Sequence, residues 1–308
     1  MISSYTVGIY PRSEELIDAS RQNSKNLPTL FLKEKREYVA IQKKAKLGYV
    51  CDPLVDWDDI FRPFSKLKSV RLGALNRVYE TNTFYRRLSF DGPIEDAGNI
   101  VKSSLATSLL PKNKAACITD PYTFADQNLS SKYKKFDELV MAIAKMLRKE
   151  IDSLVKSGFG LIQLVAPSVA YNSKVDFGLL KDALDIVTRG LRAKTILHLY
   201  FGDVSKKIEK LLDLPVTGLG FDLTSTPISS IKKHSFSGKS LALGMINSYN
   251  TKLEDKQDCI KELNNILAKT KPDEAFLTTN FDLQYLPKEF AVRKILRLGE
   301  IASGVRIA

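Results

Sequence analysis

The stretch LIQLVAPSVAYNSKVDFGLLKDALDIVTRGLRAKTILHLYFGD, residues 161–203, carries the pattern that decides the fold. Its two apolar runs, Leu161–Val165 and Thr195–Leu199, have the length of buried strands, and Phe177–Arg189 between them places apolar residues at helical spacing. Two strands joined through a helix form a βαβ unit, in which the strands are parallel. This part of the chain therefore predicts a parallel sheet covered by helices.

The same alternation of short apolar runs and amphipathic helices extends along the whole chain. The predicted strands are Tyr5–Ile9, Val70–Ala74, Ala115–Thr119, Leu161–Val165, Thr195–Leu199, Thr217–Phe221, Leu241–Met245 and Ala275–Thr278. The clearest predicted helices are Lys134–Ser157, Phe177–Arg189, Val204–Leu212, Lys256–Ala268 and Lys288–Ala302. Eight β/α units in a chain of 308 residues predict a (β/α)8 TIM barrel.

We expect one domain, residues 1–308, because no low-complexity linker interrupts the pattern. Residues 10–69, between the first two predicted strands, would supply extra helices that cover one end of the barrel. The alternative fold is an open doubly wound sheet, which would need a glycine-rich phosphate turn after an early strand. The sequence contains neither GxGxxG nor a Walker A motif, so it favours the barrel.

The composition is that of an ordinary globular protein, with 44% hydrophobic and 27% charged residues and a formal charge of +12. No apolar run reaches the 18 or more residues of a membrane span, and the N-terminus lacks a basic, then apolar, signal peptide. We therefore expect a cytoplasmic protein without membrane contact. Cys51, Cys117 and Cys259 are scattered and indicate neither a disulfide framework nor a zinc ribbon.

The positive charge requires polyanionic partners to be considered, whether nucleic acid, an acidic protein or a small ligand with several carboxylates or phosphates. Many of the lysines lie in stretches such as 33–46 and 132–149, where acidic and apolar residues alternate with them at helical spacing. That pattern is typical of a solvated helix face. Charge alone therefore does not select a partner.

Polar segments follow most of the predicted strands, where a TIM barrel gathers its functional loops. Five of them, in chain order, resemble the landmarks of the cobalamin-independent methionine synthase superfamily. These are Gly8-Ile9-Tyr10-Pro11-Arg12, Thr81-Asn82-Thr83-Phe84-Tyr85-Arg86-Arg87, Pro121-Tyr122-Thr123-Phe124, the stretch from Gly244 to Glu254, and Leu286-Pro287-Lys288-Glu289. The resemblance spans nearly the whole chain and implies the same barrel fold.

The resemblance also implies where a zinc ion would be held. Enzymes of the superfamily bind zinc through a His-x-Cys on one strand, a carboxylate on the next and a second Cys near the last. Here the matching positions are His198, Tyr200, Asp222 and about Leu283, so a histidine and a carboxylate remain and both thiolates are missing. Because thiolates make such a site tight, we predict no bound metal and treat His198 and Asp222 as remnant ligand positions.

Two further departures concern the contacts to an amino-acid substrate. The family's acidic Asp-Glu-Pro turn is replaced by Val165-Ala166-Pro167, and the serine expected after Gly8 is Ile9. The sequence thus predicts a barrel that does not itself activate homocysteine. Without a metal, we expect His198 to be a hydrogen-bonded core residue and Asp222 to pair with His198 or with a lysine at the barrel mouth.

What the resemblance leaves at the mouth is basic and aromatic. The predicted substrate-binding residues are Arg12, Tyr85, Arg86, Arg87, Tyr122 and Lys252, with Tyr10 beside them. Guanidinium groups pair with carboxylates and aromatic rings stack on flat heterocycles, which suits a folate-like pterin carrying an anionic tail. The leading hypothesis is an auxiliary, amino-terminal-type barrel that binds the methyl donor or serves as a scaffold for a separately encoded zinc-bearing methionine synthase barrel.

Two other classes of function remain open. One is a complete single-barrel methyltransferase that takes its methyl group from a corrinoid or pterin donor, with residual metal held by His198, Asp222 and a third ligand. The other is a protein that binds RNA or another polyanion and keeps the barrel as a scaffold. The sequence lacks an RNP or KH motif, so we do not expect nucleic acid as the partner.

Overall fold

The computed structural model describes residues 2–95 and 97–305. Its strands are β1 (Ser3–Tyr5), β2 (Val50–Cys51), β3 (Val70–Val78), β4 (Thr83–Phe90), β5 (Lys114–Thr119), β6 (Leu129–Ser130), β7 (Leu161–Val165), β8 (Lys194–Leu199), β9 (Gly218–Asp222), β10 (Ser240–Ile246) and β11 (Glu274–Thr279). Its α-helices are α1 (Glu14–Arg21), α2 (Leu27–Lys44), α3 (Ile100–Ser104), α4 (Pro121–Gln127), α5 (Phe136–Lys156), α6 (Pro167–Tyr171), α7 (Phe177–Thr188), α8 (Ile208–Leu212), α9 (Ile228–Ile231), α10 (Lys256–Thr270) and α11 (Lys288–Gly304). Two short 3-10 segments, Arg62–Lys66 and Thr107–Leu109, complete the described elements.

Eight parallel strands form the barrel in the order β1, β11, β10, β9, β8, β7, β5, β2. The two ends of this order meet where the Tyr49 amide, directly before β2, donates to the Ser4 carbonyl of β1 at 3.0 Å. Strands β7 and β9 are buried along their whole length, as expected for strands that face side chains on one side and helices on the other. The TIM barrel predicted from the sequence is confirmed, with α1 and α2 between the first two barrel strands.

One predicted barrel strand was wrong. Val70–Ala74 belongs to β3, which pairs with β4 in a separate three-stranded sheet outside the barrel, and β2 is the true second barrel strand. Strand β2 has only two residues and is followed by Asp52 and Pro53, so its apolar run is too short to show a period. The longer β3 has the stronger strand pattern but pairs as a hairpin.

Four of the five clearest predicted helices form within two residues of their predicted ends, whereas the fifth, Val204–Leu212, is helical only over α8 (Ile208–Leu212). In α5, buried residues recur at three- and four-residue spacing from Leu139 to Leu154, and Asp137 and Glu138 lie in the first turn, where carboxylates favour the helix dipole. Helix α4 begins with Pro121 after its N-cap Asp120, which accepts hydrogen bonds from the next amides. These helices cover the barrel, and the loops at the carboxyl ends of its strands are left to form a site.

Candidate functional site at the carboxyl end of the barrel

His198 lies inside the barrel on β8 and is hydrogen-bonded to another side chain of the protein. Its Nε2 is hydrogen-bonded to the Tyr5 hydroxyl of β1 at 3.0 Å, and the two rings meet edge to face. On the other side, a Cβ added at Gly220 would lie 2.5 Å from His198 Nδ1, so the ring occupies the space that this glycine leaves. Burial lowers the pKa of His198 to about 3, which keeps the imidazole neutral. The predicted core histidine is what the structure shows.

Asp222 ends β9 and is saturated by hydrogen bonds from three loops. Its Oδ1 accepts from the Thr224 amide at 2.8 Å, the Thr224 hydroxyl at 2.6 Å and Asn280 Nδ2 at 3.1 Å. Its Oδ2 accepts from the Ser225 hydroxyl at 2.7 Å and the Tyr249 hydroxyl at 3.4 Å. The expected pairing with His198 or a lysine was therefore wrong, because the turn after β9 brings hydroxyl groups back onto the carboxylate.

Aromatic and aliphatic side chains occupy the two positions that the resemblance assigns to cysteines. The Tyr200 ring packs on Phe201 at 4.7 Å and on Phe281 at 5.8 Å between centroids, and its hydroxyl is buried. Within residues 2–95 and 97–305 no group hydrogen-bonds that hydroxyl. Leu283 is fully buried, and its amide donates to the Ile9 carbonyl at 2.9 Å. Both positions are thus built into the packing of the mouth.

These residues do not fit the zinc ion of the superfamily. A zinc site needs three or four ligand atoms converging at about 2.0–2.3 Å. In the part of the chain that the structure describes, no three His, Cys, Asp or Glu side chains are grouped closely enough to hold a metal. The imidazole Nε2 of His198 is bonded to Tyr5, and the carboxylate of Asp222 accepts five hydrogen bonds. Both remnant ligand side chains are therefore engaged in hydrogen bonds within the protein.

Asp282 is a mouth residue that the sequence interpretation missed. It is buried, accepts from the Ile9 amide at 3.0 Å and from Gln284 Nε2 at 2.9 Å, and so ties the loop after β11 to the loop after β1. Burial raises the pKa of Asp282 to about 7. It fits only because Gly8, with φ 67°, has no side chain, since a Cβ there would collide with the carboxylate. The signal was present as a second polar residue, two positions after Asn280 at a strand end.

The centre of the mouth is filled by aromatic rings. Tyr79 contacts Tyr85 at 6.0 Å and Phe201 at 5.6 Å, and Phe281 contacts Tyr249 at 4.7 Å and Tyr285 at 6.0 Å, measured between ring centroids. The predicted ligand residue Tyr85 is buried in this cluster, where burial raises its pKa well above the usual value. Of these rings, Tyr285 is exposed at the outer rim, whereas Tyr85 is covered by its neighbours.

The predicted arginines do not converge. Arg12 donates to the carbonyls of Val55 at 2.6 Å and Trp57 at 3.2 Å and pairs with Asp58 at 2.9 Å, so its guanidinium fastens one loop to another. Arg86 lies on β4, and its guanidinium donates across the hairpin to the Gly73 carbonyl at 3.3 Å. Arg87, its neighbour on the strand, buries its Nε. These three side chains belong to different surfaces.

The remaining two predicted residues lie apart from the arginines as well. Tyr122 begins α4, and its ring packs on Phe136 while its hydroxyl accepts from the Asp176 amide at 3.4 Å. Lys252 is exposed in the loop after β10, and its carbonyl accepts from Lys294. The predicted set is thus divided over the rim.

Two concavities open on the rim, and of the six predicted binding residues Arg12 lines the first and Tyr122 the second, whereas Tyr85, Arg86, Arg87 and Lys252 line neither. The first, which we call the rim groove, has a volume of about 1220 Å³ and lies between the loop after β1 and the start of α11. Its lining includes Tyr10, Arg12, Tyr285, Lys288 and Arg293. The second, which we call the lysine recess, has a volume of about 950 Å³ and is lined by residues of the loops after β7 and β8 together with Tyr122.

An eight-stranded parallel barrel, with polar groups and concavities at the carboxyl ends of its strands, defines the class of TIM-barrel proteins. Within that class, the sequence profile of the cobalamin-independent synthase N-terminal domain matches residues 79–271, more than half of the chain. The chain belongs to this family. The resemblance stated from the sequence motifs is confirmed.

The chain is also similar to several individual proteins. The methionine synthase of Saccharolobus solfataricus is 25% identical over 323 aligned positions, covering 99% of this chain and 95% of that protein. The methionine synthase of Sulfolobus acidocaldarius is 24% identical, covering 97% of this chain and 90% of that protein. These relatives align with this chain over nearly their whole lengths.

Solved structures show the same fold. A B12-independent methionine synthase from Shewanella sp. W3-18-1, in complex with selenomethionine, superimposes with a TM-score of 0.79 at 18% identity, covering 98% of this chain and 97% of that one. A methyltransferase from Methanosarcina mazei superimposes with a TM-score of 0.62 at 14% identity, covering 97% and 93%. Among the described residues of this chain, no helix has the length and apolar character needed to cross a membrane.

Proposed function

We propose that this protein acts in methyl transfer from a methyltetrahydrofolate-like pterin to homocysteine, the last step of methionine biosynthesis. In this proposal it is an auxiliary barrel that binds the donor or supports a partner, and a separately encoded zinc-bearing barrel activates the homocysteine thiol. The family and the relatives named methionine synthase support the reaction.

The auxiliary role is proposed because the side chains at the remnant zinc-ligand positions are hydrogen-bonded within the protein. Asp222 accepts five hydrogen bonds from its own surroundings, and His198 is paired with Tyr5. At one of the two cysteine positions, the buried Tyr200 ring packs on Phe201 and Phe281. Zinc binding would break these contacts and still lack both thiolates, which supply most of the affinity of such a site.

The rim groove is the best place for a pterin with an anionic tail. Tyr285 is 45% exposed and presents a ring face on which a flat heterocycle can stack. Arg293 contacts the Phe290 ring, and among the described residues it has no carboxylate partner, so its guanidinium is available to a carboxylate of the tail. Lys288 is already paired with Glu37 at 2.7 Å. In this arrangement Arg293 takes the role that the sequence gave to Arg12.

The proposal is tested by measuring zinc content together with methyl transfer to homocysteine, with and without a zinc-bearing partner barrel. We expect no stoichiometric zinc, no activity of this chain alone and stimulation of the partner. Arg293→Ala should reduce that stimulation several-fold, whereas Lys269→Ala, which removes an exposed charge on α10, should leave it unchanged. If the original protein does not stimulate the partner, the auxiliary role is wrong. If Arg293→Ala and Lys269→Ala stimulate it equally, the rim groove is not the binding site.

Arg86→Ala with Arg87→Ala tests the other part of the predicted binding set. Both residues lie on β4 away from the rim groove, and Arg86 makes only one side-chain hydrogen bond within the described residues, to Gly73. If the donor or the partner contacts this strand, the double variant should lose stimulation while its circular dichroism spectrum is retained. Unchanged stimulation would remove these two arginines from the site.

A complete single-barrel methyltransferase is the second candidate. It is favoured by the relatives named methionine synthase, which are matched over 90–95% of their own length and so are themselves close to one barrel long. One tightly bound zinc per chain, with activity in the absence of a partner, would establish it and overturn the auxiliary role.

A further inference from the structure

Lys207 carries a half-buried charge without a counter-ion. Its ammonium donates to the carbonyls of Val169 at 2.9 Å, Ala170 at 2.8 Å and Asn172 at 2.7 Å, which uses all three of its N–H groups. In residues 2–95 and 97–305 no carboxylate lies within 4.0 Å of this nitrogen. Burial lowers the pKa of Lys207, as expected when a cation is held by neutral partners. The ammonium is therefore fixed in place without an ion-pair partner among the described residues, and the nearby charge of Asp203 only partly opposes the lowering of its pKa.

Lys207 lies in the lysine recess, together with three further ammonium groups. Lys174 and Lys206 are exposed and, within the described residues, have no hydrogen bond or ion pair, and Lys210 contacts the Phe177 ring at 5.5 Å. These four lysines converge from the loop after α6 and from the segment that begins α8. They give one concavity four cations, none of which has an ion-pair partner among the described residues.

The two aspartates of the recess are engaged elsewhere. Asp203 accepts from the amide and the hydroxyl of Ser205, and Asp176 caps α7 by accepting from the Leu179 amide at 3.0 Å. Their carboxylates stabilise local turns and form no ion pair with the four lysines, but their two negative charges leave the recess a surplus of two positive charges, four lysines less two aspartates. The ring of Tyr171, 39% exposed, lies at the edge of the same concavity. The volume of about 950 Å³ is within the range of small-molecule sites.

We propose that the lysine recess is a binding site for a small oligoanion, a molecule carrying at least two phosphate or carboxylate groups. Separate ammonium groups act as point charges, and several of them around one cavity match several anionic groups better than a single one. The fixed charge of Lys207 attracts the anion electrostatically, and Lys174 and Lys206 donate hydrogen bonds to it directly. This site is separate from the rim groove and does not rest on a role in methyl transfer.

The test uses the whole chain and two probes, inorganic tripolyphosphate and propane-1,2,3-tricarboxylate, titrated by calorimetry at several salt concentrations. The variant Lys174→Ala/Lys206→Ala removes two exposed, unpaired charges of the recess. The matched control Lys233→Ala/Lys269→Ala removes two exposed lysines on other surfaces and changes the net charge equally. Circular dichroism verifies that both variants are folded.

We expect saturable one-to-one binding of at least one probe. The recess variant should bind it roughly tenfold more weakly or worse, the factor for losing about one charge-assisted hydrogen bond, and the control should stay within about twofold. Preference for tripolyphosphate would assign a phosphorylated ligand, and preference for the tricarboxylate a ligand with a carboxylate tail. No saturable binding of either probe, or equal weakening in both variants, would overturn the proposal.

Lys207→Met and Lys239→Met give a second comparison. Lys239 also donates to two carbonyls, those of Leu214 and Val216, and burial lowers its pKa too, but it lies before β10 at the opposite end of the barrel. Both variants should lower the thermal midpoint. Only Lys207→Met should also weaken probe binding, and a loss of binding common to both would mean that the recess is not the site.

Discussion

Replacing Asp222 with alanine should destabilise the fold and leave the metal content unchanged. The substitution removes the acceptor for two hydrogen-bond donors of Thr224 and for those of Ser225, Tyr249 and Asn280. A remnant metal ligand would behave in the opposite way, because an unoccupied ligand is commonly a source of strain and its removal lowers metal binding. The two interpretations of this residue therefore predict different outcomes for the same variant.

The magnitude follows from what is left unpaired. Asn280 is buried and loses its carboxylate partner, keeping a hydrogen bond to the Thr224 hydroxyl at 3.3 Å, and the amide of the exposed Thr224 loses its acceptor. Each buried unpaired donor costs about 1–3 kcal/mol, and the hydroxyl groups of Ser225 and Tyr249 can partly regain hydrogen bonds to water. Because Asn280 is the one buried donor that is weakened, we expect a loss of about 1–3 kcal/mol in the free energy of unfolding.

Urea unfolding followed by circular dichroism measures this loss, with zinc content determined on the same samples. Asp182→Ala is the control, because Asp182 is exposed on α7 and should change the unfolding free energy by no more than about 0.5 kcal/mol. A loss below about 1 kcal/mol for Asp222→Ala, or a fall in bound zinc, would refute the structural role and return Asp222 to the metal ligands.

Two further predictions concern the barrel interior and its pH dependence. Burial raises the pKa of Asp282 to about 7, so the folded protein keeps a proton that the unfolded chain releases near pH 4. This residue therefore stabilises the fold at low pH, and the stabilisation is lost as the pH rises from about 4 through about 7. In Asp282→Asn the free energy of unfolding should depend less on pH over this window, by up to about 1.4 kcal/mol per pH unit, as measured by urea titrations at pH 4–8. If the variant and the original protein show the same pH dependence, the raised pKa of the buried carboxyl group is wrong. Gly220→Ala should lower the free energy of unfolding by about 1–3 kcal/mol, because the new Cβ would lie 2.5 Å from His198 Nδ1. This loss should be smaller in a protein that also carries His198→Ala. Additive losses in the double-mutant cycle would show that the two residues do not compete for space.

The sequence by itself determined the barrel and much of its helical cover. Phe177–Thr188 and Lys256–Thr270 form helices almost where their apolar spacing predicts them, because amphipathic periodicity is a local property of the chain. The residue types of Tyr200 and Leu283 are likewise read without any coordinates, and the resemblance predicts that they stand at about the positions where the family has its two cysteines. Residue type at a matched position is read directly from the chain.

Only the tertiary structure decided which segment forms the second strand of the barrel and which hydrogen bonds its polar residues make. The two residues of β2 join the barrel through β5 and the Tyr49 amide, contacts that no local pattern in so short a strand records. The same holds for His198 with Tyr5, 193 positions apart, and for Lys207 with the carbonyls at the end of α6. These pairings depend on the closure of the barrel and on burial, which set the hydrogen-bond partners and the pKa of a side chain but are not encoded at its own position.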